Sequence, residues 1–366
     1  MIKAMVVREL GGGWVEENIQ IADPIGQEVL IDLKASGLCG SDHMEMSREV
    51  QYPPPAVLGH EIAGVVAQVG PNVTEFAVGD HVAACLVQFC GKCERCLAGE
   101  PGLCRSPELT VRGPDDKPRL TGADGKPLTQ GMALGGFAQQ ALVHENMLVK
   151  LPKDMPFAQA AVLGCGVITG TGAVLNAAKV QPGEDLVIIG AGGVGLNVVS
   201  GAVLASAGKI ISVDLNTESL AAAKAFGATH TINSSEVDPV EAVRELTDGF
   251  GVKYVFDVVG IGITARQGYD MLDNGGTLYQ IGMGSPTDTL DTVPLDNAFS
   301  RKGIQGVFLG SGVPKRDMAM LVEQYQAGRL NLDDIVSGEI KLSDVNKGYE
   351  MIRDPKVNRL VITDFS

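Results

Sequence analysis

Five apolar runs in the second half of the sequence, DLVIIG, KIISVDL, KYVFDVVG, TLYQIGM and IQGVFLG, alternate with alanine-rich stretches such as ESLAAAKAFGA and PVEAVRELT. Runs so short and so continuously apolar read as strands covered on both faces, with the intervening helices as the cover. Strand and helix in turn over about 140 residues require βαβ units and a parallel sheet. The alternation begins after Pro156. Upstream, VLIDLKASG, AGVVAQVG, GDHVAACLV and FAQQALVHENMLVKLP are short apolar runs cut by Gly and Pro, the pattern of a mostly β region. A polar insert, RGPDDKPRLTGADGKPLTQG (112–131), reads as a long surface loop. The C-terminal part has a helix-like KRDMAMLVEQYQAG and ends in NRLVITDFS. At 366 residues the chain is too long for one comfortable core. The expected plan is α/β: a β-rich domain drawn from both chain ends, with a doubly wound domain inserted between them.

The inserted half carries a phosphate-binding signature. In DLVIIGAGGVGLNVVSG the strand runs into Gly190-Ala191-Gly192-Gly193-Val194-Gly195 and then a helix. A lone G-x-G-x-x-G is weak in a chain with 47 glycines, but the strand before it and the helix after it give it context. Gly190 and Gly192 let the turn close and a pyrophosphate approach; Gly195 lets helix and sheet pack closely. The next strand ends in Asp214, placed to accept hydrogen bonds from ribose hydroxyls and to repel a 2′-phosphate. No basic residue follows before Lys224, so NAD is favoured over NADP.

Seven cysteines stand at 39, 85, 90, 93, 96, 104 and 165. CGKCERCLAGEPGLC places Cys90, Cys93, Cys96 and Cys104 so that short turns wrap one ion, which suits a closed four-thiolate zinc site of structural purpose. GLCGSD, GHE and GCG each set a donor beside glycine: Cys39, His60 and Cys165. Two thiolates and one imidazole leave a fourth position on zinc open, as catalysis needs. Taken alone, His60 reads as a structural histidine and Cys165 as a buried, apolar-like residue. Cys85 fits neither site, Trp14 carries no functional signal, and His81, His144 and His230 read as ordinary polar or core histidines.

In their order and over nearly the whole length, GLCGSD, GHEIAGVV, VGDHV, CGKCERCLAGEPGLC, GCGVITGTGAV and GAGGVG resemble the zinc-dependent alcohol dehydrogenases of the medium-chain dehydrogenase/reductase superfamily. The resemblance implies a GroES-like catalytic domain over 1–166 and 309–366 and a Rossmann NAD-binding domain over 167–308. It implies two zinc ions per chain, the catalytic one on Cys39, His60 and Cys165. Glu61 then lies behind the metal, Asp42 orients His60, and Ser41 takes the alcohol proton. Thr169, Ile281 and Leu309 fall where the nicotinamide is held, with Gly193 and Val194 in the phosphate turn and Arg359 at the pyrophosphate. Members often end the proton relay in a histidine where this chain has Met44, leaving His43 as the nearby imidazole.

The implied reaction is reversible hydride transfer between an alcohol and NAD. Leu86, as an aliphatic pocket residue, points to medium-chain or aromatic primary alcohols. A glutathione-dependent formaldehyde dehydrogenase or a polyol dehydrogenase on the same frame is the alternative within the class. The insert 112–131 resembles that of the dimeric alcohol and formaldehyde dehydrogenases, while Gly40, in place of a larger residue, weakens the glutathione reading. A non-catalytic NAD(P)-binding relative or a zinc-free quinone reductase is expected to lack the zinc ligands, and all are present. With 29 basic against 44 acidic residues the net charge is −15, which argues against nucleic-acid and anionic-membrane surfaces. The N-terminus has no signal-peptide pattern and no run approaches a membrane span. A cytoplasmic homo-oligomer, dimer or tetramer, acting on a small-molecule alcohol or carbonyl is expected.

Overall fold

The computed structural model describes residues 1–47 and 51–366. The chain divides into two units, one of Met1–Cys165, Val313–Gly328 and Leu332–Ser366, the other of Gly166–Gly312 and Arg329–Asn331.

The second unit is built on a six-stranded parallel sheet. Its strands lie in the order His230–Asn233, Ile210–Asp214, Leu186–Ile189, Val252–Asp257, Leu272–Gln280 and Gly303–Gly306. The order reverses direction between Leu186–Ile189 and Val252–Asp257, the point at which doubly wound sheets bind dinucleotides. All four residues of Leu186–Ile189 are buried, as the unbroken apolar run requires. His230–Asn233 escapes a sequence reading because only Ile232 of its four residues is buried.

The first unit holds a seven-stranded and a five-stranded sheet. Its central strand, Glu28–Gly37, pairs antiparallel with Glu61–Val69, Gln140–His144 and Leu360–Asp364, so its end is fixed from several directions. Val29, Ile31 and Leu33 alternate into a core with Ile62, Val66, Val82 and Leu148.

Two expectations need correction. The insert 112–131 is more than a surface loop: Leu120–Thr121 joins one edge of the five-stranded sheet and Thr129–Gln130 the other. The cause is Glu28, a buried carboxylate that receives Arg112 Nη2 at 2.6 Å and Arg119 Nε at 2.7 Å. Arg119 also donates to the Thr110 carbonyl at 2.7 Å, so the first half of the insert is tied to Glu28 and to the residues just before it. Second, the helical stretch Phe157–Ala178 is long and apolar enough to cross a membrane, although no unbroken apolar run announces it. Gln159, Thr169, Thr171 and Asn176 interrupt its apolar residues. Its apolar window is 89% buried within the protein, as in a core helix.

The Glu28 network generates a stability test. Glu28→Gln leaves two arginines without their shared partner and is expected to lower the unfolding free energy by about 3 kcal/mol. The carboxyl of Glu28 lies below its ordinary range: burial raises it, and the hydrogen bonds and charges of Arg112 and Arg119 more than reverse that. Its stabilisation is therefore complete above the ordinary carboxylate pKa and is lost as pH falls through the lower folded value. Urea melts of parent and variant between about pH 3 and 6 should converge at the acid end.

Candidate active site

Cys39 stands between the strand Glu28–Gly37 and the helix Gly40–Ser47, which carries Ser41, Asp42 and His43. The Leu38 N–H donates to the Leu360 carbonyl at 2.9 Å, fixing the point where the chain leaves the sheet. His60 follows Gly59, whose φ of +95° only glycine adopts freely, and precedes the strand Glu61–Val69. Glu61 pairs with Gly37 across the sheet. A Cβ on Gly37 would lie 2.2 Å from Glu61 Oε2, so the missing side chain is the room the carboxylate occupies. Cys165 sits in a π-helical turn, Leu163–Val167, a widened geometry common at functional sites. Gly164 beside it packs against the Ala84 carbonyl, where a Cβ would be 1.8 Å away.

These elements bring one donor atom each of Cys39, His60, Glu61 and Cys165 within 4.8 Å of one another, all buried. The two sulfurs are 4.0 Å apart, and His60 Nε2 is 3.2 Å from Cys165 Sγ. Tetrahedral zinc with sulfur at ~2.3 Å would set two sulfurs roughly 3.8 Å apart, so the donors fit the ion. Asp42 Oδ2 is 2.9 Å from His60 Nδ1, and Asp42 Oδ1 accepts the Gly59 N–H at 2.9 Å. With Nδ1 set against Asp42, Nε2 is the ring nitrogen that faces Cys165. Ser41 Oγ is 3.5 Å from Cys39 Sγ.

The charges are strongly coupled. The hydrogen bond from Cys165 holds the Cys39 thiol well below its ordinary value, and the same bond, with burial, holds Cys165 well above it. Burial lowers His60, but the charges of Asp42 and Cys39 outweigh it and raise it well above the usual imidazole range. Burial pushes Glu61 up to about 7, against the pull of Arg359. Neither Glu61 oxygen accepts a well-directed hydrogen bond, although Arg359 Nη2 is 3.4 Å from Oε1. Arg359 is itself buried; its Nη1 donates to the Leu38 carbonyl at 2.8 Å, and its Nε has no hydrogen-bond partner among the described residues. Its guanidinium thus lies against the ligand set. His43 turns its half-buried ring to Tyr349, with centroids 5.2 Å apart, and to Trp14 at 6.3 Å.

The second cluster is local. Cys93 Sγ lies 3.5 Å from Cys96 Sγ and 3.9 Å from Cys104 Sγ, and Cys90 Sγ is 4.0 Å from Cys96 Sγ. Backbone N–H groups of Cys90, Cys93 and Ser106 point at sulfur atoms, favouring thiolates. Backbone bonds from Arg105 and Cys96 bring Cys93 down to about 6, while burial pushes Cys96 up to about 12. Cys85 belongs to neither cluster; it is wholly buried, which raises its thiol to about 12.

In the other unit, Gly190 has φ +99°, and a Cβ on Gly195 would meet the Gly190 carbonyl at 1.9 Å. Gly192 is exposed with open space where a Cβ would stand, and Gly193 and Val194 open the helix Gly193–Leu204. Asp214 ends its strand and accepts the Ala191 N–H at 2.7 Å and the Asn216 N–H at 2.9 Å, so it also braces the glycine turn. Thr169 lies in the helix Ile168–Gly172. That helix packs through Gly170 on the helix Gly193–Leu204 and through Gly172 on Gly310, beside Leu309. Ile281 follows the strand Leu272–Gln280 and donates its N–H to the Asp257 carbonyl at 2.9 Å.

Two family models match: the alcohol dehydrogenase GroES-like domain over residues 26–153, and zinc-binding dehydrogenase over 193–326. Alcohol dehydrogenase B of Mycobacterium tuberculosis is 36% identical over 370 residues, covering 98% of this chain and 97% of that protein. The chain belongs to the zinc-dependent alcohol dehydrogenases of the medium-chain dehydrogenase/reductase superfamily. The S-(hydroxymethyl)glutathione dehydrogenase of Paracoccus denitrificans is 33% identical over 371 residues, covering 98% and 99% of the two chains. The crystal structure of benzyl alcohol dehydrogenase from Acinetobacter calcoaceticus superposes with a TM-score of 0.91 at 35% identity, covering 99% of each chain.

This alcohol dehydrogenase joins a GroES-like to a Rossmann fold and uses zinc and NAD. Two participants have no signature in the sequence of this alcohol dehydrogenase. Tyr349 donates its O–H to the Cys39 carbonyl at 3.0 Å, and Trp14 stacks on Tyr349 at 4.5 Å. Both act over long chain separations, which no local pattern marks.

The packing of Gly37 on Glu61 gives a direct test. Gly37→Ala is expected to lower stability by about 1–3 kcal/mol through overpacking. In a Glu61→Ala background the same change should cost less, and a double-mutant cycle by thermal melting measures the difference.

Proposed function

We propose that this dehydrogenase oxidises medium-chain or aromatic primary alcohols reversibly with NAD. In this reading Cys39, His60 and Cys165 hold the catalytic zinc, and Cys90, Cys93, Cys96 and Cys104 hold the structural one. The observation that carries it is the contrast between two donor sets: four sulfurs close one, while the other has two sulfurs, one imidazole and a buried carboxylate paired with Arg359. Bound zinc supplies a Lewis acid that lowers the alcohol's pKa, and bound NAD accepts the hydride.

The rest falls to the chain. Asp42 holds the His60 ring by Nδ1 and keeps Nε2 free to ligate. Ser41 Oγ accepts the alcohol proton and passes it on toward water, with Met44 unable to carry it further and His43 turned to the aromatic rings. Glu61, backed by Arg359, stands ready to replace an outgoing ligand. Gly190, Gly192 and Gly195 admit the pyrophosphate, Asp214 takes the ribose hydroxyls, and Thr169, Ile281 and Leu309 border the nicotinamide. On this assignment residues 1–166 and 309–366 form the catalytic domain and 167–308 the NAD domain. The net charge of −15 argues against nucleic-acid and anionic-membrane partners, and this reading takes the enzyme as a cytoplasmic homo-oligomer.

Leu86, packed at the edge of the β core, and the benzyl alcohol dehydrogenase likeness support an aromatic or medium-chain substrate. The S-(hydroxymethyl)glutathione dehydrogenase likeness keeps the formaldehyde adduct as the second reading. NAD⁺ reduction should be followed with ethanol, hexanol, benzyl and cinnamyl alcohols, sorbitol, and formaldehyde plus glutathione. The expected order of kcat/KM puts benzyl, cinnamyl and hexyl alcohols first; a glutathione-dependent maximum would replace this reading by the second.

The two metal roles separate by mutation. Cys165→Ser is expected to abolish turnover with a melting curve near the parent's. Cys93→Ser should lower the melting temperature and promote aggregation, because the lobe loses its cross-link. Metal content, melting and turnover measured together check both, and like behaviour of the two variants contradicts the assignment.

A further inference from the structure

The carbonyl of Cys39, at the head of the helix Gly40–Ser47, receives donors of two kinds. One is the Asp42 N–H of the helix that follows, at 3.2 Å. The other is the phenol of Tyr349, at 3.0 Å, from the helix Val345–Met351 near the other end of the chain. Tyr349 is 4% exposed and lies in an apolar cluster with Leu38, Met46, Phe137, Leu342 and Val345. Trp14 stacks on its ring at 4.5 Å and 7°. The same C-terminal helix grips the Trp14 backbone: its N–H donates to Asn346 Oδ1 at 3.0 Å, and Asn346 Nδ2 donates to its carbonyl at 2.8 Å. A pocket that needed only a ring would be served by phenylalanine. A hydroxyl buried there is unfavourable unless paired, and the atom it pairs with belongs to the residue carrying a metal donor.

The neighbour of Cys39 explains why an outside restraint matters. Gly40 has no side chain, and the space where its Cβ would stand is open. Gly40 is the first residue of the helix Gly40–Ser47, and glycine loses more conformational freedom on ordering than any other residue, so the helix start at Cys39–Gly40 is weakly held from within. That helix start sets where Cys39 Sγ points and where Ser41 Oγ stands beside it, 3.5 Å away.

We propose that Tyr349 is a positioning residue of the catalytic centre: its O–H holds the Cys39 peptide in the orientation that aims Cys39 Sγ at the metal. The proposal rests on the assignment of Cys39, His60 and Cys165 to the catalytic zinc. It makes the C-terminal helix part of the site although that helix supplies no ligand.

The test uses the zinc-loaded enzyme. Parent, Tyr349→Phe, and Tyr349→Phe combined with Gly40→Ala are exposed to excess chelator, and zinc release is followed with a metal dye. Tyr254→Phe is the control, since it removes another buried phenol, bonded to Glu184 at 2.6 Å in the other unit. The parent should release zinc in two phases, the phase lost in Cys165→Ser marking the catalytic ion. In Tyr349→Phe that phase should quicken about five-fold, the worth of one hydrogen bond, while the four-cysteine phase is unchanged. The kcat should fall by a similar factor, with the KM for NAD unmoved. Gly40→Ala, which stiffens the helix start from within, should restore the parent release rate. Tyr254→Phe should alter neither phase. The proposal is overturned if Tyr349→Phe releases the catalytic zinc at the parent rate, if it quickens both phases alike, or if Gly40→Ala gives no rescue. A parent holding a single zinc would instead overturn the ligand assignment beneath it.

Discussion

Cys39, Cys165, Glu61 and Arg359 bring ionisable groups together where almost no water reaches them. Buried charge is tolerated only when paired and hydrogen-bonded, and here each group depends on the others. Arg359 is held above its ordinary value: burial lowers it, and Glu61, Cys39 and Cys165 more than offset that. The two thiolates and the Glu61 carboxylate would be offset by the Arg359 guanidinium and a divalent cation, with Asp42 set against the His60 ring beside them. The surrounding backbone serves that balance. Gly37 leaves room for Glu61, Gly59 makes the turn into the buried His60, and Cys165 stands in a π-helical turn.

The two metal sites are made by different routes. The four-cysteine lobe draws all its donors from residues 90–104, so folding it requires closing only short loops. The other set draws from residues 39, 60–61 and 165, which meet only when strands and helix have already packed. Closing the longer loops costs more entropy, and the sheet contacts around Glu28–Gly37 supply the compensation. Local donors therefore make a self-sufficient staple, and distant donors a site whose geometry reports on the whole unit.

That difference also governs what the sequence makes legible. Apolar runs with helical stretches between them show the parallel sheet, because burial on both faces leaves a continuous apolar signature. CGKCERCLAGEPGLC and GAGGVG are legible because their chemistry is packed into a few consecutive residues. Interactions across the chain are silent. Nothing local marks Glu28 as the partner of Arg112 and Arg119, and so residues 112–131 read as a loop while part of them completes a sheet. Nothing marks Tyr349, separated from Cys39 by 310 positions. The strand His230–Asn233 is silent for another reason, having a single buried side chain in a short edge position.

Trp14 is the chain's single tryptophan. It stacks on Tyr349 at 4.5 Å and lies 6.3 Å from the ring of His43, one residue past Asp42. An indole's light emission responds to the rings and charges it touches, and here all of that emission comes from one place. The intrinsic fluorescence of the unmodified enzyme is thus a local optical probe of the loop around Cys39, reporting its rearrangements in real time without a dye or label.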